Sequence, residues 1–123
     1  MTHMLIKEDS SPFIVENKEE IVAFKFMRHL KTEEFSALFK AVEDALAVKP
    51  PQVVFNFIQN SVLNSKGINR FIDGMKSIID NGTNLQIICY NEDYMQYFRN
   101  LPSLKRASFA LIKEEEIWRQ YNQ

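Results

Sequence analysis

Ser65 and its neighbours are the residues of this chain whose types and spacing could do chemistry. The segment Asn64-Ser65-Lys66-Gly67 stands between an apolar stretch and a strongly amphipathic one. This pattern predicts a serine hydroxyl at a helix N-terminus, just beyond the carboxyl end of a strand. Small anions are readily accommodated at such a corner, because N–H groups are free there and the helix dipole favours negative charge. Lys66 and Arg70 could help to hold a phosphate.

Each of these residues also has a purely structural interpretation. Ser65 is a good N-cap, since its hydroxyl can accept a hydrogen bond from the first turn of the helix. Asn64 can order the loop by hydrogen bonding to the backbone. Gly67 can allow close packing or a tight turn. The residues alone leave the structural and the functional interpretations open.

Other reactive side chains form no catalytic or metal-binding pattern. Cys89 lies in an apolar stretch, as expected for a small buried hydrophobe, and no histidine stands in a motif with it. His29 and His3 have no cysteine or carboxylate at ligand spacing, so we predict no metal site. The sequence has no glycine-rich phosphate loop and no paired catalytic carboxylates. We therefore expect neither a catalytic residue nor a cofactor.

The elements that must position this corner follow from the hydrophobic periodicity. The helix after Gly67 is the clearest, with apolar residues at i, i+3, i+4 and i+7 and Gly82 at the place of a C-terminal cap. A helix is also expected from the N-cap Thr32 until Pro50, and a short one from the cap Asn91. Strands are predicted at 13–16, 21–27, 53–58, 85–89 and 107–112, and a last helix at 114–121.

The order of these elements is β-β-α-β-α-β-α-β-α. Strands that alternate with helices indicate parallel pairing, right-handed crossovers and helices packed on the sheet. We predict an α/β fold with a mixed, mostly parallel sheet of four to five strands and an antiparallel hairpin at its edge. Residues 1–12 are expected to form a polar leader, and 13–123 a single domain.

Composition limits the classes of function. Fifteen basic and sixteen acidic residues give a formal charge of −1, so charge alone favours neither nucleic acid nor an anionic membrane. One cysteine rules out an internal disulfide and favours a reducing compartment. No apolar run approaches the roughly 20 residues of a membrane-spanning helix, so we expect a cytoplasmic protein without membrane insertion.

The predicted order and the segment from Val53 to Gly67 resemble the STAS domain, the fold of bacterial anti-sigma-factor antagonists. The family pattern is a hydrophobic strand ending near an acidic or amide residue, a short loop, and Asp-Ser-Ser/Thr-Gly opening a helix. Here Asn56 takes the strand position and Asn64-Ser65-Lys66-Gly67 takes the motif. The likeness covers about 13–121.

The resemblance implies a regulatory protein–protein interaction module of bacterial signal transduction and transcription regulation. In antagonist members the first serine of the motif is phosphorylated by a partner kinase that is also the anti-sigma factor, and this position falls on Ser65. The implied mechanism is partner switching. The docking surface would comprise Asn56, Asn64, Lys66, Gly67 and Arg70.

Two departures from the motif keep alternatives open. Asn64 replaces the family's aspartate, and Lys66 replaces its second Ser/Thr. One alternative is a STAS subunit that does not switch and is docked on a transporter ATPase or a signalling assembly. Another is a binder of a small ligand, a nucleotide or another anion at the helix N-terminus. A homodimer is also left open, and enzymatic activity is not expected.

Overall fold

The computed structural model describes residues 11–57, 67–89 and 91–111. The predicted helix at 114–121 lies outside these residues, and so does most of the predicted leader. The described helices and strands are β1 (Phe13–Lys18), β2 (Ile21–Phe26), α1 (Phe35–Ala47), β3 (Gln52–Phe57), α2 (Ile68–Asp80), β4 (Asn84–Cys89), α3 (Glu92–Arg99) and β5 (Ser108–Leu111).

The sheet has five strands in the order β1-β2-β3-β4-β5. β1 and β2 pair antiparallel, whereas β2, β3, β4 and β5 pair parallel in succession. The predicted mixed sheet with an antiparallel edge hairpin is thus confirmed. In register, Phe26 is opposite Phe57, which is opposite Cys89, so β2, β3 and β4 end at one common edge. This carboxyl edge is where the predicted corner belongs.

The three described α-helices, α1, α2 and α3, pack on one face of the sheet, hereafter the helix face. Right-handed crossovers between sequential parallel strands give this arrangement. On this face the ring of Phe71 in α2 meets that of Phe57 at 5.2 Å, and Phe98 of α3 stacks on Phe57 at 5.9 Å. The core is therefore an aromatic layer between the central strands and the helices.

The start of α1 differs from the sequence prediction. A 3₁₀ turn, Thr32–Glu34, precedes the α-helix, and Lys31 rather than Thr32 is the residue before the first turn. The carboxylate of Glu34 accepts the backbone N–H of Lys31 at 2.8 Å. A glutamate side chain reaching back to the N-cap backbone satisfies the same helix end that a Thr32 hydroxyl was expected to satisfy.

The C-terminus of α2 ends at the glycine that the sequence predicts. At the C-terminus, Gly82 adopts φ 84°, and its N–H donates to the carbonyl of Ile79 at 2.9 Å. The N–H of Thr83 donates to the carbonyl of Ile78 at 3.3 Å. These two bonds form a Schellman motif, which confirms Gly82 as the C-terminal cap.

In the part of the chain that the structure describes, no helix is long and apolar enough to cross a membrane.

Candidate functional site

The N-terminus of α2 forms the corner that the sequence singled out. Its N-cap residue is Gly67, not Ser65 as the sequence predicts, and the helix begins at Ile68. The carbonyl of Gly67 accepts the N–H of Arg70 at 3.0 Å and that of Phe71 at 3.2 Å. Gly67 is buried, in agreement with a close-packed position. This helix end faces the loop that follows β2.

A cavity of about 280 Å³ lies between this loop and the start of α2. We call it the basic cavity, because its lining includes two cations and a histidine. The described residues that line it are His29, Leu30, Lys31, Thr32, Phe35, Gly67 and Arg70. His29, Lys31 and Thr32 lie in the connection between β2 and α1, and Phe35 is the first residue of α1. Gly67 and Arg70 come from the N-cap and the first turn of α2.

Aromatic packing supports the floor of the basic cavity. Phe35 is 2% exposed, and the guanidinium of Arg70 lies over its ring, 5.8 Å from the centroid. Phe71 meets Phe35 edge-on at 5.1 Å and Phe26 edge-on at 5.0 Å. A guanidinium packed against an aromatic face loses less conformational freedom when it binds an oxyanion. The cavity is therefore tied to the core of the domain.

The charge of the basic cavity is positive. Of the described residues that line it, none is acidic. The nearby carboxylate of Glu34 is held by Arg28, with two N–O distances of 2.9 Å. Hydrogen bonds from Arg28 and from the N–H of Lys31, with both positive charges, lower the pKa of Glu34 to about 2 despite some desolvation. This carboxylate is thus paired mainly with Arg28, and it offsets the charge of Lys31 only in part.

Asn56 lies elsewhere. Side chains alternate along a strand, and Phe55 and Phe57 of β3 point into the aromatic layer of the helix face. The side chain of Asn56 therefore points to the opposite face, where it is 7% exposed and its register neighbours are Lys25 and Ile88. The structure brings Gly67 and Arg70 together but does not bring Asn56 into their cavity.

Three predicted site residues, Asn64, Ser65 and Lys66, lie outside the described residues, and their roles stay predictions. His29, Lys31 and Phe35 are site residues that the sequence argument missed. Topology could have found them: β2 and β3 are parallel neighbours, so the loops after their carboxyl ends must meet at one edge of the sheet. The periodicity of a single segment carries no information about which loop lies beside it.

Cys89 ends β4 at the same edge, but it faces the core. It is 2% exposed, and burial raises the pKa of its thiol to about 12. This thiol is protonated and inaccessible near neutral pH, as expected of a small buried hydrophobe. Within 11–57, 67–89 and 91–111, no group of three or more histidine, cysteine or acidic residues could hold a metal ion.

Comparison with known proteins gives two solved structures of the same architecture. The first, from Thermotoga maritima and described as an anti-sigma factor antagonist, has a TM-score of 0.59 at 15% identity, over 90% of this chain and 95% of that chain. The second, the Bacillus cell fate determinant SpoIIAA in its phosphorylated form, has a TM-score of 0.61 at 15% identity, over 88% and 98%.

These likenesses show that the chain has a STAS-like fold: one small α/β domain with a five-stranded mixed sheet and helices packed on it. The fold expected from the resemblance is thereby confirmed. No protein-family model matches the chain, and no curated protein matches it significantly.

Proposed function

We propose that this chain is a non-enzymatic regulatory module of the bacterial cytoplasm that binds protein partners and exchanges them when Ser65 is phosphorylated. One observation carries the proposal. The STAS-like sheet places the N-terminus of α2, directly after Asn64-Ser65-Lys66, at the carboxyl edge beside a cationic surface. Anti-sigma factor antagonists share this fold, and one of them is known in a phosphorylated form.

Covalent geometry supports Ser65 as the modified residue. Consecutive Cα atoms are about 3.8 Å apart, so Ser65 is at most ~7.6 Å from Gly67, which lines the basic cavity. A phosphoryl group would add a charge of about −1.5 to −2 at neutral pH. In a protein of net charge −1, this addition changes the potential of the whole corner.

The switch would act on docking without refolding. A partner that covers this edge while Ser65 is unmodified would meet a new, strongly hydrated charge after phosphorylation. Repulsion and desolvation would then favour release. The partner class that fits is an ATP-dependent protein kinase that is also an anti-sigma factor, because that enzyme must bind the same corner in order to modify it.

The test is affinity capture from a native cell extract with four immobilised proteins: wild type, Ser65→Ala, Ser65→Asp and Ser77→Asp. Ser77 is exposed on α2, away from the corner, and serves as the matched control. We expect wild type, Ser65→Ala and Ser77→Asp to retain a kinase that Ser65→Asp loses. Equal recovery by all four proteins would reject partner switching, as would equal labelling of Ser65→Ala and wild type by the captured kinase.

The departures Asn64 and Lys66 favour a second candidate, a STAS subunit that does not switch. Such a subunit would sit constitutively on a transporter ATPase or in a signalling assembly, or pair with its own copy. Mass spectrometry of the native complex separates the two candidates. Full occupancy of one complex without phosphate on Ser65 supports the constitutive subunit, and partial phosphorylation with free protein supports the switch.

A nucleotide as the ligand is less well supported by the size of the site. The basic cavity, at about 280 Å³, is just below the ~300–1,000 Å³ of typical ligand pockets. It suits an anionic group better than a complete nucleotide. A thermal-shift screen with nucleotides at millimolar concentration should therefore give no stabilisation beyond that of inorganic phosphate.

A further inference from the structure

The basic cavity has an excess of positive charge that the described fold does not use. Lys31 and Arg70 line it, and neither forms a salt bridge with any residue in the described ranges. Arg28, the neighbouring cation, has both guanidinium nitrogens on Glu34 and is satisfied by it. Two cations that line one cavity repel each other, and the nearby carboxylate of Glu34 is engaged mainly by Arg28, so an anion in the cavity would stabilise this arrangement.

We propose that the basic cavity is a binding site for the oxyanion of a phosphate monoester. Arg70 offers a planar fork that can bind two oxygens, and its guanidinium carbon lies over the Phe35 ring, 5.8 Å from the centroid. Lys31 offers an ammonium group from the other wall of the cavity. His29 and the hydroxyl of Thr32 can add hydrogen bonds to the remaining oxygens.

The backbone of α2 also favours an anion in the basic cavity. α2 spans 13 residues, and its N-terminal end, Gly67, lines the basic cavity. The positive end of this helix dipole therefore adds to the two cations rather than opposing them. The Arg28–Glu34 pair is close to neutral as a unit, so its carboxylate offsets only part of this positive field.

Two sources could supply this chemistry: a phosphoserine at position 65 of the chain itself, or a free phosphate ester. The phosphoserine source depends on the proposed function, because it requires phosphorylation of Ser65. Binding of the oxyanion to the basic cavity does not depend on it. If the source is the chain itself, the phosphate on Ser65 would be bound and neutralised in the basic cavity. The phosphorylated protein would then have one defined conformation at this corner, and its effect on a partner would not come from repulsion alone.

The test is titration of the ¹⁵N-labelled full chain with inorganic phosphate at pH 7 and constant ionic strength, with chloride as the comparison anion. We expect saturable shifts at the amides of Lys31, Gly67 and Arg70. Lys31→Gln and Arg70→Gln should each raise the dissociation constant by about tenfold or more, since a hydrogen bond to a charged partner contributes ~1.5–3 kcal/mol. Lys76→Gln, exposed on the same helix, should bind as wild type does.

Three outcomes would overturn the inference: equal shifts with chloride, saturable shifts confined to other parts of the chain, or wild-type affinity in both Lys31→Gln and Arg70→Gln. Repetition with protein phosphorylated at Ser65 identifies the source. Protection from added phosphate indicates that the chain's own phosphoserine occupies the cavity, and unchanged affinity indicates a free ester. The two proposals can fail separately. If Ser65→Asp keeps its partners while phosphate still binds to the cavity, partner exchange is rejected and the phosphate site is retained.

Discussion

Arg28 and Glu34 form a two-point ion pair, in which each guanidinium nitrogen lies 2.9 Å from one carboxylate oxygen. The same carboxylate accepts the N–H of Lys31, and Arg28 also donates to the carbonyl of His29 at 3.0 Å. One glutamate therefore orders the loop that presents His29 and Lys31 to the basic cavity. The pair links the end of β2 to the start of α1, and it sets one wall of the proposed site.

The first prediction concerns pH. The pKa of Glu34 is about 2 in the folded protein and about 4.5 in the unfolded chain, so unfolding at intermediate pH takes up a proton. Its contribution to stability is complete above pH 4.5 and is lost as the pH falls from 4.5 to 2. Because the pair is partly exposed to solvent, we expect only about 1 kcal/mol.

Urea unfolding of wild type, Glu34→Gln and Glu33→Gln between pH 7 and pH 3 checks this expectation. Glu34→Gln should be less stable than wild type by about 1 kcal/mol at pH 7, and the difference should shrink towards pH 3. Glu33, an exposed neighbour, is the matched control. A constant difference at all pH values would show that the loss comes from packing and not from the charge of Glu34.

The second prediction contrasts two glycines. A methyl group on Gly74 in α2 would lie 3.5 Å from the ring of Phe39, which is an ordinary contact, so Gly74→Ala should stabilise the protein by about 0.5–1 kcal/mol through helix propensity. Gly82 has open space around it but has φ 84°. Gly82→Ala should therefore destabilise by about 1–2 kcal/mol. Urea midpoints that move in the same direction for both variants would contradict this account.

The third prediction tests the aromatic layer beneath the basic cavity. The ring of Phe71 contacts Phe26, Phe35 and Phe57 at centroid distances of 5.0–5.2 Å. Phe71→Leu removes three edge-on ring contacts and part of the buried area, so we expect a loss of about 1–3 kcal/mol in the free energy of unfolding.

Tyr97→Leu is the matched control for this loss, because Tyr97 is 44% exposed and its replacement should change stability by less than about 0.5 kcal/mol. Calorimetry of both variants provides the measurement. Equal losses in the free energy of unfolding for the two variants would indicate that the buried ring contacts of Phe71 add no stability of their own.

The fourth prediction concerns Cys89. A thiol pKa of about 12 instead of 9.0 leaves ~1000-fold less thiolate at pH 8, and burial further limits access. The native protein should therefore react with an aromatic disulfide reagent at least about 1000-fold more slowly than the protein in guanidinium. Because the chain has one cysteine, the absorbance change reports this thiol alone. Comparable rates in the two conditions would show that the β4 end opens readily.

Much of the fold could be predicted from the sequence because its signals are local. The apolar spacing of Ile68 to Ile79 and the glycine at position 82 determine α2 and its Schellman end without any knowledge of the rest of the chain. The start of α1 was predicted less well. Thr32 was favoured by propensity, but Glu34 could satisfy both the helix end and Arg28, a residue outside the helix.

The site was predicted only in part, for a different physical reason. Gly67 and Arg70 belong to one amphipathic segment, so the sequence placed them together. Their partners, Lys31 and Phe35, are more than 30 positions away, and only the parallel pairing of β2 with β3 brings the two segments to one edge. The orientation of Asn56 follows from the strand alternation that makes Phe57 part of the core.

The order of the strands in the sheet bears on how this domain is built during synthesis. From β2 to β5, each described strand pairs with the one that precedes it in the chain, so each βα unit can be added to a template that the ribosome has already released. The carboxyl edge of β2 and β3 would then exist before β5 is translated. The corner with Gly67 could thus assemble early, on the nascent chain, before β5 is in place.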